Sequence, residues 1–172
     1  MALDYGSLGV DLQKKIIMNE ELILAFDPGR DKTGFAFVNL NGDLICSGIF
    51  FEEAREKFFE ALTHSSDLSS LMTEKISSLP ENFFELIKFI AIGNGTSSKN
   101  FSSFVKNFLP PELEIKLIDE RNTTLEARRL YWKIHKPKFF AALIPEDLRV
   151  PKRILDDLAA WAIALKALKK NL

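Results

Sequence analysis

The chain has a single cysteine, Cys46, and two histidines far apart, His64 and His135. One thiol excludes an intramolecular disulfide, and this sparse set leaves no Cys/His zinc pattern. No apolar run reaches the roughly 18 to 20 residues that a membrane span needs, and the start, MALDYGSLGVDLQKK, lacks the basic-then-apolar order of a secretory signal. A cytoplasmic protein without membrane attachment is the expectation. Net charge is also scarce, at −1.

What is present is globular. At 172 residues, with 47% hydrophobic and 27% charged side chains, the chain suffices for one good core and is short for two. A single domain over 1–172 is expected, with 1–20 a peripheral segment. The small net charge conceals a gradient: 116–153 carries ten Lys or Arg against five Asp or Glu, a net of +5, and the remainder a net of −6. A basic zone of this kind suits nucleic acid, and equally suits a solvated helix and loop.

Apolar runs at Leu22–Phe26, Thr33–Leu40 and Asp43–Phe51 read as strands, the last two joined at Asn41-Gly42, a two-residue hairpin signal. Phe58, Phe59 and Leu62, then Leu68, Leu71, Met72 and Ile76, recur at helical spacing, which predicts a helical insertion over 52–80. Ile87–Ile92 is a buried strand ending at Gly93-Asn94-Gly95, and Thr96 or a following serine caps a helix that Pro110-Pro111 closes. Glu114–Ile118 is a fifth strand. The capping box of Thr123–Glu126 opens a helix to about His135, and a last helix runs from about Ile154 to Lys170. This order predicts an α/β protein with a five-stranded mixed sheet, its first three strands antiparallel, and helices on both faces.

Four stretches, AFDPGRDKTGFAFV, AIGNGTSS, IDERNTTLEARRLYW and DDLAAWAIAL, occur in this order at strand ends and helix starts. Together they resemble the ribonuclease H-like superfamily, in its branch of RuvC-type Holliday junction resolvases and YqgF-like nucleases. The resemblance implies a ribonuclease H-like fold and a metal-dependent nuclease acting on structured RNA or branched DNA. Phosphodiester hydrolysis must activate a water and stabilise a leaving oxyanion, which hard divalent ions, Mg²⁺ or Mn²⁺, accomplish when held by carboxylates.

On that reading Asp27 is the central ligand and Gly29 turns the backbone away to admit metal and phosphate; the alternative is that Asp27 caps a local turn. Glu120 carries over the family's acid on the later strand, with Asp119 as substitute, because alternation lets only one face the site. Arg121 either neutralises a phosphate or pairs with Asp119. Asp156 matches the family's C-terminal acid and shares a helical face with Ala159, Ala160 and Ile163, while Asp157 is held in reserve. Against this, both acids also suit the first turn of a helix.

RuvC-type resolvases place a glutamate where this chain has Asn94, an amide that brings no charge. Gly93, Gly95 and Thr96 offer backbone N–H groups to a phosphate, or make an ordinary turn and cap. Arg128, Arg129, Lys133, Lys136, Lys138, Lys152 and Arg153 are expected along one rim of the acids as nucleic-acid contacts. Resolvases act as dimers because a junction has paired strands to cut; no homodimer face is legible here. The other class of reading is a non-catalytic nucleic-acid or ribosome-associated module that keeps the fold.

Overall fold

A computed structural model of the chain describes residues 21–137, 144–145 and 149–169. The expected peripheral segment, 1–20, lies outside them. In chain order the elements are β1 (Leu22–Pro28), β2 (Lys32–Asn39), β3 (Leu44–Phe51), α1 (Arg55–Thr63), β4 (Met72–Lys75), β5 (Ile87–Gly93), α2 (Ser98–Phe108), β6 (Glu114–Ile118), α3 (Thr123–Ile134) and α4 (Asp156–Lys169). One mixed sheet has the order β4-β3-β2-β1-β5-β6. Strands β1 to β3 form the expected antiparallel meander, and β1 lies inside the sheet, with β5 parallel beside it and β6 parallel beyond.

The sheet has six strands, not five. The extra one, β4, lies within the segment expected to be helical, so 52–80 is a helix followed by a short strand. Its identity comes from pairing: Lys75 sits opposite Cys46 and Glu74 opposite Ser47. The β2–β3 connection is also longer than a two-residue turn. Asn39 folds it with its own side chain, whose Oδ1 accepts from the N–H groups of Asn41 and Asp43. Gly42 takes the positive φ of +89° that the turn demands.

Alternation along the strands sorts the core into two chemically different layers. Leu22, Leu24 and Phe26 of β1, Phe35 and Phe37 of β2, and Ile90 and Ile92 of β5 face α1 and α2 in a phenylalanine-rich cluster. There Phe26 packs edge-on against Phe101 at 5.1 Å between centroids, and Phe50 stacks on Phe58 at 4.3 Å. On the other face stand Ile23 and Ala25, Ala36 and Val38, Phe89 and Ala91, packed under α4 and α3. Ala25 is paired with Ala36 on one side and Ala91 on the other. This row of methyl groups lets α4 lie close, with its own Ala159, Ala160 and Ile163 fully or nearly fully buried. Among the described residues, no helix is long and apolar enough to cross a membrane.

Candidate active site

The residue after Phe26 continues the alternation, so Asp27 points to the α4 side. It is the penultimate residue of β1, paired with Gly34 of β2, and the next strand over ends in Gly93 one step beyond the Phe26–Ile92 pair. Asp27 is thus flanked by two glycines, and each vacancy is filled by another acidic residue. A Cβ on Gly34 would collide with the main chain of Asp156 and Asp157. A Cβ on Gly93 would collide with the Glu120 carboxylate, and one on Gly95 would stand 2.6 Å from Glu120 Oε2. The glycines of IGNGT therefore make a notch for the chain's own carboxylate.

Glu120 reaches that notch from a tight turn after β6. The Thr123 hydroxyl and amide both donate to the Glu120 carbonyl, at 2.8 and 2.9 Å. The expected capping box does not form: Asn122 holds the N-cap position in the left-handed region at φ +68°, without a side-chain cap bond. Thr123 instead closes the turn that aims Glu120. Glu120 Oε1 is buried and has no hydrogen-bond partner among the described residues. The third acid, Asp156, opens α4 and receives Lys32 Nζ at 2.6 Å on Oδ2.

Electrostatics bind these positions into one unit. Burial, reinforced by the charges of Glu120 and then Asp156, pushes the Asp27 carboxyl from an ordinary 3.8 up to about 7, against the pull of Lys32. A cleft of about 310 Å³ opens beside Asp27 and Asp156, lined also by Thr124, Arg128, Pro151 and Arg153. No family model matches the chain, and no curated protein matches it. The reading of this cleft rests on its own residues.

Asp157, the reserve ligand, is engaged elsewhere. It is fully buried, its Oδ2 accepts from Ser47 Oγ at 2.8 Å and Thr73 Oγ1 at 2.6 Å, and Arg153 forks onto both its oxygens at 2.7 and 3.1 Å. Arg153 also donates to Glu74, which takes His135 Nε2 at 2.7 Å. Arg153, expected on nucleic acid, is thereby held in an internal network that ties α4 to β3 and β4. Of the other expected basic residues, Arg128 lines the cleft, and Arg129, Lys133, Lys136 and Lys152 are exposed. Lys138 lies outside the described residues.

The remaining expected positions are turns. Gly29 donates its N–H to Lys32 O at 2.9 Å, and a Cβ there would stand 2.7 Å from that carbonyl. Asn94 is exposed and its N–H donates to Ile118 O at 2.9 Å; Thr96 is exposed, and Ser97, not Thr96, holds the N-cap position of α2. The Arg121 N–H donates to Asp119 Oδ1 at 3.0 Å.

Sequence reading passed over Lys32 and Gly34, and took Thr123 for the start of a capping box. The signal for the first two was available: Lys32 and Gly34 share the parity of Ala36 and Val38 along β2, hence the α4 face.

As a metal site, the donor set is mixed. Three carboxylates supply hard oxygens, Glu120 Oε1 has no hydrogen-bond partner among the described residues, and Asp27 has its carboxyl raised to about 7. Yet among the described residues no three His, Cys, Asp or Glu side chains gather as a group able to hold a metal ion. Asp156 faces a lysine.

Proposed function

We propose that the protein is a metal-dependent nuclease of ribonuclease H-like fold, of the YqgF and RuvC type, that hydrolyses phosphodiester bonds in structured RNA or branched DNA. The observation that carries this reading is the carboxyl of Asp27 at the end of β1, which burial first, and the charges of Glu120 and Asp156 next, raise to about 7. Folding alone gains nothing from placing acids near one another, whereas a bound cation would relieve their repulsion. Asp27 and Glu120 would hold Mg²⁺ or Mn²⁺, which when bound supplies an activated water and neutralises charge developing on the leaving oxygen.

The chain's own residues set the rest. Arg128 and its exposed basic neighbours on α3 attract the phosphate backbone beside the cleft. A cytoplasmic location and a homodimer belong to the same reading.

The test is cleavage of a panel of four-way junctions and structured RNAs with Mg²⁺ or Mn²⁺ by the wild type and Asp27→Asn. Activity in the wild type and none in the variant is the expected result. Equal cleavage by both would assign the activity to another site or a contaminant. The second reading, a binding module without catalysis, is favoured by the uncharged Asn94 and by the pairing of Asp156 with Lys32; nucleic-acid binding without cleavage by any protein in the panel is its signature.

A further inference from the structure

The β2–β3 connection and the last turns of α4 meet at the end of the sheet where β1 begins, opposite the end that carries Asp27. Between them lies a groove of about 430 Å³, lined chiefly by Leu40, Phe89, Leu165 and Leu168, with the exposed Lys88 and Lys169 on its rims. Its walls are held in place. Trp161 Nε1 donates to Gly42 O at 3.0 Å, and a Cβ on Gly42 would stand 2.8 Å from Leu165 Cδ2. Leu40, on the outer wall, is 40% exposed.

The described chain enters at this groove. Leu22 donates its N–H to Leu86 O and pairs with Asn39, the residue before Leu40. Glu21 meets Lys88 on the rim at 2.7 Å. Residues 1–20 are therefore tethered at the rim, and five residues reach up to about 17 Å, so length restricts nothing from Ile16 backward. In sequence, Tyr5, Leu8, Leu12 and Ile16 recur at the spacing of one helical face, and Asp11 brings a charge opposite to that of Lys169. A short tether holds such a segment at about millimolar local concentration, which favours it over a free partner.

We propose that the groove is the seat of the chain's own residues 5–16, with Leu8, Leu12 and Ile16 set against Leu40, Leu165 and Leu168. This goes beyond the nuclease reading and does not depend on it, since the acids stand at the other end of the sheet. Docking here secures the entry into β1, the strand that ends in Asp27.

The test uses the trypsin site Lys14-Lys15 within the segment. The full-length wild type, Leu40→Asp and Leu12→Asp are digested briefly, and release of the N-terminal fragment is timed by mass spectrometry. Leu40 is exposed and residue 12 precedes the core, so both variants should keep the wild-type melting temperature to within a few degrees. Each should release the fragment about tenfold faster than the wild type. Equal rates in all three proteins overturn the proposal, and wild-type protection that fades on dilution overturns it in favour of a second copy in the groove. Location is checked by oxidising Leu12→Cys/Leu168→Cys at low concentration, with Leu12→Cys/Phe51→Cys as the control at the acid end of the sheet, where Phe51 pairs with Lys32. The buried Cys46 stays out of the reaction. An intrachain disulfide in the first pair and little in the second is expected; equal yields, or cross-linked dimers alone, overturn the assignment of the groove.

Discussion

Replacing Asp27 with Asn should stabilise the metal-free protein, and the gain should depend on pH in a calculable way. The carboxyl rises from 3.8 to about 7 on folding. Between those values the native state keeps a proton that the unfolded chain has released, so stability falls as pH rises through this window and stays low above it. At about 1.4 kcal/mol per pH unit the full deficit is roughly 4 kcal/mol. Asn has no charge to lose, and its amide finds fewer partners than water offers, so a net gain of about 2–4 kcal/mol is expected at pH 8.5. For a chain of this size that corresponds to about 5–15 °C in melting temperature. Thermal melts of both proteins from pH 4 to 9 in chelator read this directly. The curves should converge near pH 4 and separate to a plateau above pH 7, and Mn²⁺ should narrow the gap by stabilising the wild type alone. Parallel curves across the whole range would refute the burial of Asp27 beside the other two acids.

Gly93→Ala should drive Glu120 from its notch, since the new methyl would overlap Oε1 and crowd Ile163 Cδ1 at 2.7 Å; the expected cost is about 1–3 kcal/mol in urea melts together with loss of Mn²⁺ binding. Asp157→Asn leaves the half-buried Arg153 guanidinium without its main counter-charge, so chemical denaturation should show a loss on the order of 3 kcal/mol, with Mn²⁺ binding retained by whatever remains folded. Joint replacement of Arg128, Arg129, Lys133 and Lys136 by Ala should weaken nucleic-acid binding. The slope of log affinity against log salt should then fall by about 0.9 for each duplex phosphate contact removed, and an unchanged slope would exclude this surface.

How much could be read beforehand follows from which forces are local. The meander, the existence of β5 and the placement of Asp27 at a strand end depend on apolar alternation and turn chemistry, both visible in a window of a few residues. Strand β4 was not visible: Met-Thr-Glu-Lys has no alternating run, and the helical spacing of Leu68, Leu71, Met72 and Ile76 is coincidental around a single turn of 3₁₀ helix at Ser69–Leu71. What makes it a strand is its partner, β3, some 28 residues earlier. The choice between Asp156 and Asp157 was likewise hidden. Their angular separation on α4 was evident, but the roll of the helix is set by Gly34 and by the Ser47, Thr73 and Arg153 partners gathered around Asp157. Lys32 was overlooked although its parity was legible, because the reading sought acids and not their counter-charge. Family membership and activity lie beyond what the fold itself decides.

The two faces of the sheet differ in what they leave open to an engineer. On the phenylalanine side, rings from β1, β2, β3, α1 and α2 fill the space between layers, on the opposite face of the sheet from the acids. Substitutions there change how firmly the molecule holds together and pass little of that change to the spacing of Asp27, Glu120 and Asp156. On the alanine side there is no such slack: α4 rides on methyl groups and on Gly34, so one added carbon moves the helix that carries Asp156. A thermostable variant should therefore be sought through the first face, and altered chemistry through the second.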